Sequence, residues 1–289
     1  MHAVFALVAL AACEPAVDTD TADDVELTIP VAARIGGADV ACGTSYTPPM
    51  GSSTMELLDL RLYVADLQLI TASGTAVDAT FVDDDTWQSP RVALLDYEDG
   101  TAGCAAAGNA GLNDELVVTV AEATEDDPYT GVSFTLGVPF DLNHLDSATS
   151  DPPLDVPSMY WAWQTGHKFV RLDMQNDQEA PDDKWFFHLG SLGCSSASAA
   201  TAPAGPCARP NTPVIAVDMD PLADTLVLDL DGLLGGVDIG TNAENTPTGC
   251  MSNALDDGEC PSIFANLGMS WDDGTCVDGC ADQKAFTAP

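Results

Sequence analysis

"LLDLRLYVADLQLI", residues 57–70, decides the fold class. Leu58, Leu60, Leu62 and Val64 recur at every second position, the period of a strand with one face in a core. Outward from it lie segments of the same kind: "VELTIPVAARI" (25–35), "RVALLDY" (91–97), "ELVVTVAEA" (115–123) and "GVSFTLGVPF" (131–140). "HKFVRLDM" (167–174), "KWFFHLG" (184–190), "TPVIAVDM" (212–219) and "DTLVLDLDGLL" (224–234) follow, the last alternating at Leu226, Leu228 and Leu230. No window offers a long amphipathic helix with caps, and "CPSIFANLG" (260–268) has room for one or two short turns. About nine strands joined by Gly-, Pro- and Asp-rich loops predict an all-β chain, an antiparallel sandwich or barrel. Residues 25–289 read as a single β domain. Its tail from about residue 236, rich in Gly, Asn, Asp and Cys, reads as a disulfide-stapled extension.

With 289 residues and 46% hydrophobic content, the chain can bury a sizeable core. Its 46 acidic residues face 8 basic ones, a formal charge of −38. That balance repels nucleic acid and anionic membrane surfaces, and most of the carboxylates read as a solvated face. The run Asp83, Asp84, Asp85 could attract Ca²⁺, but "DLDG" at 229–232 lacks the spaced ligand ladder of an EF-hand loop.

The N-terminus, "MHAVFALVALAACEP", places an apolar run and then Leu10, Ala11 and Ala12 before Cys13. Residues 1–13 read as an export signal ending in a lipidated Cys13, although no Lys or Arg precedes the run. Residues 14–24 read as an acidic tether between a lipid anchor and the domain. No stretch approaches the ~20 apolar residues of a membrane span. The expected location is the periplasm or the outer-membrane or cell surface.

Eight cysteines remain after Cys13, an even number that in an exported chain reads as disulfides. On the order of a hundred pairings are open to eight cysteines, and proximity orders them. It favours Cys194–Cys207, Cys250–Cys260 and Cys276–Cys280, leaving Cys42–Cys104. No C-x-x-C pair supports a zinc ribbon or a dithiol redox motif.

Motifs for nucleophilic or nucleotide chemistry are missing: there is no G-x-S-x-G elbow, P-loop or Rossmann glycine pattern. Paired carboxylates cannot be singled out among 46 acidic residues. Metal ligation has better support. His144 lies in a loop after "GVPF", and His188 lies in a strand with Phe186 on its own face and Trp185 and Phe187 on the other. Imidazoles in aromatic surroundings, joined by a thioether such as Met159, suit copper better than Mg²⁺ or Ca²⁺. The plain alternative is a hydrogen-bonded structural histidine. "MYWAWQTGHKFVRLDM" (159–174) concentrates Trp161, Trp163, His167, Met159 and Met174 in one segment. Trp161 and Trp163, two residues apart, can equally be core or rim aromatics, so spacing alone leaves their role open.

Three blocks in order, "GVPFDLNHLD" (137–146), "MYWAWQTGHKFVRLD" (159–173) and "FHLGSLGC" (187–194), resemble the signature of MbnP-like proteins, also called metallo-mystery-pair four-Cys-motif proteins. "GTSYT" after Cys42, "DLRLYVADLQLI" (59–70), "WQSPRVALLDYEDGTAGC" (87–104) and "CMSNALDDGECPSIFANLG" (250–268) extend the resemblance over nearly all of the domain. It implies an exported, non-catalytic and monomeric protein that binds one copper ion, Cu(I), in copper acquisition or homeostasis. The implied partner is a di-haem cytochrome c peroxidase of the MauG or MbnH type, which oxidises the first Trp of a W-x-W motif to kynurenine. In this chain that residue would be Trp161, with Trp163 the second Trp. The ligands would be His144, His188 and the modified Trp161, with Met159 a further candidate. The family reads Gly-Tyr-Lys where this chain has Gly166-His167-Lys168, so His167 is either a substitute for a strand Tyr or an extra ligand.

Two other functions fit the residues. One is a metal-free structural or adhesive β-sandwich lipoprotein. The other is a mononuclear non-haem oxygenase using His144, His188 and a carboxylate such as Asp146.

Overall fold

The computed structural model describes residues 24–106, 111–176, 184–242, 244–252 and 258–288. The signal segment 1–13 with Cys13, and the tether up to residue 23, lie outside the described residues; Asp24, placed in the tether by sequence, begins the first strand. The principal strands are β1 (Asp24–Ile35), β2 (Met55–Thr71), β3 (Val92–Asp96), β4 (Glu115–Ala121) and β5 (Tyr129–Leu136). They continue as β6 (Tyr160–Ala162), β7 (Gly166–Asn176), β8 (Lys184–Gly190), β9 (Val214–Asp218) and β10 (Leu226–Asp229). Helices are short: α1 (Phe140–Asn143), α2 (Leu230–Leu233) and α3 (Cys260–Asn266).

Two sheets share one hydrophobic cluster, and they do not close into a barrel. In the smaller sheet β1 lies between β4, antiparallel, and β10, parallel. The larger sheet is organised by β2, which pairs with β7 over its first half and with β5 over its second, while β3 pairs across Arg61–Ala65. Among the described residues no helix is long and apolar enough to cross a membrane.

The decisive strand departs from simple alternation. Leu58 is an extra residue between the pairs Asp59↔Asp173 and Leu57↔Met174, and Asp66, at φ 50°, marks a second offset opposite β5. Each such bulge shifts the side-chain phase by one residue. Hence Met55 and Leu57, then Leu60, Leu62 and Val64, then Leu67 and Leu69 are all buried, and Leu58 is only half-buried. The intervening Asp59, Arg61, Tyr63 and Ala65 are buried too, so the middle of β2 is covered on both faces.

The segment 224–234 is not strand throughout. Asp229 turns it into α2 by accepting from the backbone N–H of Asp231 (3.0 Å) and Gly232 (3.2 Å), an N-cap that ends β10. Four disulfides join Cys42–Cys104, Cys194–Cys207, Cys250–Cys260 and Cys276–Cys280, the pairs that proximity favours. The C-terminal extension is tied into both sheets. Phe286–Thr287 pairs with β10, and Cys250 lies along β8, its carbonyl accepting from the His188 N–H at 2.9 Å.

Candidate metal centre

Pro139 starts the turn of α1, its carbonyl accepting from the N–H groups of Leu142 and Asn143, and the turn ends at His144. The His144 side chain is buried at 5% exposure, with Phe140 edge-on at 5.0 Å. Nδ1 lies 3.0 Å from the Trp163 carbonyl, which can only accept, so Nδ1 carries the proton and Nε2 keeps its lone pair. Nε2 faces the Asn143 amide at 3.4 Å and the Cys207 sulfur at 3.7 Å. Burial pushes the His144 pKa down, opposed by the bond to Trp163.

His188 sits near the end of β8, 7% exposed. Nε2 is 2.6 Å from Asp173 Oδ1 on β7, and its Nδ1 is buried with no hydrogen-bond partner. Burial is the largest influence on His188 and lowers its pKa; Asp173 opposes it. For Asp173, burial raises the pKa, but the hydrogen bond from His188 and the charge and hydrogen bonds of Arg171 outweigh it and hold the carboxyl below its usual range. The pair is therefore a neutral imidazole donating to a carboxylate.

Trp161, half-buried on β6, places its ring 6.5 Å from the His188 ring, centroid to centroid. Its approach requires Gly190, since any Cβ there would overlap the edge of the indole. Trp163 is 39% exposed and serves His144 through its backbone carbonyl. The W-x-W segment thus touches both imidazoles, Trp161 by its ring and Trp163 by its main chain.

The other candidates are placed differently. His167 is wholly buried, with Nδ1 2.8 Å from the Asn143 carbonyl and Nε2 3.1 Å from the Leu154 carbonyl. Both ring nitrogens are turned to backbone carbonyls, one of which takes the single N–H of a neutral ring, so His167 packs β7 against α1 and the loop before β6. Met159 is fully buried within the hydrophobic core. Asp146 accepts from the Ala148 N–H at 3.1 Å in a turn; the carboxylate beside His188 is Asp173. His144, Cys194 and Cys207 lie with their ligand atoms within 4.8 Å of one another, yet the two sulfurs form a disulfide and have no thiolate to offer.

His188 is the first of four residues that lie abreast on four strands, followed by Arg171, Arg61 and Asp96. Arg171 Nη1 meets Asp59 at 3.0 Å, and Arg61, itself paired to Asp59, reaches towards Glu98 at 4.0 Å. Lys168 donates to the Ser158 carbonyl at 2.6 Å, which Arg171 also approaches; burial and Arg171 push the Lys168 pKa down to about 8. Three of the chain's eight basic residues thus stand together in a chain of strongly negative charge.

The family model MbnP matches residues 24–252. The chain belongs to the MbnP family. Among solved structures it is similar to MbnP from Methylosinus trichosporium, at 29% identity and a TM-score of 0.76, over 92% of this chain and 98% of that one. No curated protein matches it in sequence. Within this MbnP-family chain, three residues that sequence reasoning passed over support the centre. Asn143 takes the His167 N–H at 2.7 Å and turns its amide towards Ser191 and His144; Asp173 holds His188; Gly190 admits Trp161. All three lie within the blocks that carry the family resemblance, but only Gly190, a glycine two residues after His188 at the end of a strand, also has a local structural signal.

Proposed function

We propose that this protein is an exported, non-catalytic copper-binding protein of copper acquisition or homeostasis. Its ligands are His144 and His188, completed by Trp161 after conversion to kynurenine. The observation that carries the reading is the orphaned Nδ1 of His188, a buried lone pair next to the Trp161 ring. A buried acceptor without a partner costs roughly 1–3 kcal/mol, which a metal ion would offset. Two neutral imidazoles suit Cu(I), and burial keeps both neutral. Unmodified indole N–H is a donor only and ligates poorly, whereas the arylamine and ketone of kynurenine can ligate.

The oxidant belongs to the partner, a di-haem peroxidase. It would accept electrons from Trp161 while water supplies oxygen and the indole C2 leaves as formate. Trp161 is half-buried and its neighbour Trp163 is exposed, which suits oxidation at a surface contact. A Cys13 lipid anchor would hold the protein at the periplasmic or cell-surface side of a membrane.

Mass spectrometry of the Trp161 peptide, from protein made with and without the di-haem peroxidase, tests this reading. The expected shift is one carbon replaced by one oxygen, seen only with the partner and in proportion to bound copper. Copper retained at His144 and His188 while Trp161 stays unmodified would remove the maturation step, and failure to retain copper against a competing chelator would leave a structural lipoprotein.

A further inference from the structure

We propose that Asp173 is the positioning residue of this centre, fixing His188 as the Nε2–H tautomer so that Nδ1 is the nitrogen presented to a metal ion. The inference rests on the copper reading for the identity of the ion, but its geometric content stands on the metal-free protein. A carboxylate can only accept, and Asp173 Oδ1 lies 2.6 Å from His188 Nε2, so the imidazole proton sits on Nε2. A neutral imidazole has one N–H, which leaves the lone pair on Nδ1, the buried atom without a partner.

The carboxylate cannot easily turn away. Its second oxygen, Oδ2, accepts from Arg171 Nε at 2.9 Å and Nη2 at 2.7 Å. Arg171 is held in turn by Asp59 at 3.0 Å, and Asp59 by Arg61, whose Nε donates to Asp59 Oδ1 at 2.8 Å. Strand pairing keeps these groups in fixed order, with Asp173 opposite Asp59, and Arg171 opposite both Arg61 and His188. The backbone of His188 is clamped from the outer side as well. Its N–H donates to the Cys250 carbonyl at 2.9 Å, and its carbonyl accepts from Ser252 Oγ at 2.8 Å. Ring orientation and tautomer are thus set by β7 and the C-terminal extension before any ion arrives. His144 is set in the opposite sense, with its proton on Nδ1 against the Trp163 carbonyl and its lone pair on Nε2. A carboxylate behind a ligating histidine is a recurrent device for fixing ring and tautomer.

The same geometry dictates what Asp173→Asn does. The amide oxygen stays with the two N–H groups of Arg171, so the NH₂ group turns to His188. Nε2 must then accept, and the ring proton moves to Nδ1, the wrong tautomer for ligation, as happens when a histidine-orienting aspartate becomes asparagine elsewhere.

The test is long-range ¹H–¹⁵N correlation on copper-free protein labelled with ¹⁵N-histidine, with His188 assigned by its loss in His188→Gln. The expected wild-type pattern is a protonated Nε2 and a lone-pair Nδ1 at neutral pH. A protonated Nδ1 in the wild type overturns the proposal, whatever any variant does, so the test survives a variant that does not fold. In Asp173→Asn the His188 pattern should invert while that of His144 stays unchanged. Affinity for Cu(I), measured against a chelator, should fall about 10–100-fold. Inversion without loss of affinity overturns the role towards the metal. The expected tautomers with no copper binding by either protein would uphold the hold of Asp173 on His188 and defeat the copper reading instead.

Discussion

The indole of Trp161 lies directly over Gly190, where the smallest added side chain would overlap its ring. That contact brings the ring beside His188, two residues earlier on the same strand. Gly190→Ala must displace either the indole or the β7 main chain, since the new methyl would also lie 3.0 Å from the His167 carbonyl. The expected result is a loss of about 1–3 kcal/mol in denaturant unfolding, as for other overpacked sites. A changed Trp161 environment in fluorescence, and less Trp161 oxidation by the peroxidase, should accompany it.

His144 and His188 should be separable from Met159 by titration with Cu(I). If the proposed ligand set holds, His144→Ala and His188→Ala each remove a nitrogen ligand and should weaken binding by at least the ~10–100-fold that loss of a supporting residue produces. Met159→Leu keeps volume and polarity in the core, so it should cost less than about 1.5 kcal/mol and leave copper affinity unchanged. Weakened binding in Met159→Leu would bring the thioether back as a ligand.

Asp96 should make stability fall as pH rises. Burial, partly offset by the Glu98 N–H and the charge of Arg61, raises its pKa from 3.8 to about 7. Between those values the folded state keeps a proton that the unfolded state releases. The stabilisation is complete below pH 3.8 and is lost as pH climbs through about 7. Its slope reaches at most about 1.4 kcal/mol per pH unit. Asp96→Asn should flatten this component in unfolding curves collected across the window; a slope unchanged from wild type would mean Asp96 is ionised throughout.

The Cys194–Cys207 bridge closes a loop of sequence separation 13 beside His144. Replacing both cysteines with alanine should cost roughly 3 kcal/mol by loop entropy. It should also loosen the Cys207 side of the His144 ring. Equilibrium unfolding of the double variant measures the first effect and line broadening of the His144 resonances the second.

The ion pairs under His188 are expected to be costly to break singly. Arg171→Met leaves Asp59 and Asp173 buried with one cation fewer, and a loss of about 3–5 kcal/mol is expected for such an uncompensated charge. Calorimetry of the copper-free variant gives the comparison, and a change under 1 kcal/mol, on the order of a solvent-exposed pair, would mean water reaches the cluster.

Much of the fold was legible because its cause is local and repetitive. Alternating apolar residues mark nine of the ten principal strands near their observed positions, since a period of two leaves little else for those segments to become; the three-residue β6 is defined only by its pairing with β7. The ordered blocks around Asn143-His144, Trp161 and His188 led to the MbnP family for the same reason: they are contiguous in the chain. Phase along β2 was not legible, because the extra residues at Leu58 and Asp66 declare themselves only against the neighbouring strands.

What the sequence by itself determined is therefore the class of the chain, most of its strands and the residue types on offer; it favoured the cysteine pairs by proximity, and the fold decided them. What tertiary structure decided is which of them meet. His167 and Met159 stand as close in sequence to Trp161 as any candidate, yet one turns both nitrogens to backbone carbonyls and the other is sealed in the core. Asp173 was one acidic residue among 46, and only the pairing of β7 with β8 puts it at His188 Nε2. The reason is physical: alternation is imposed by the backbone within each strand, whereas a ligand's orientation is imposed by groups that arrive from other strands.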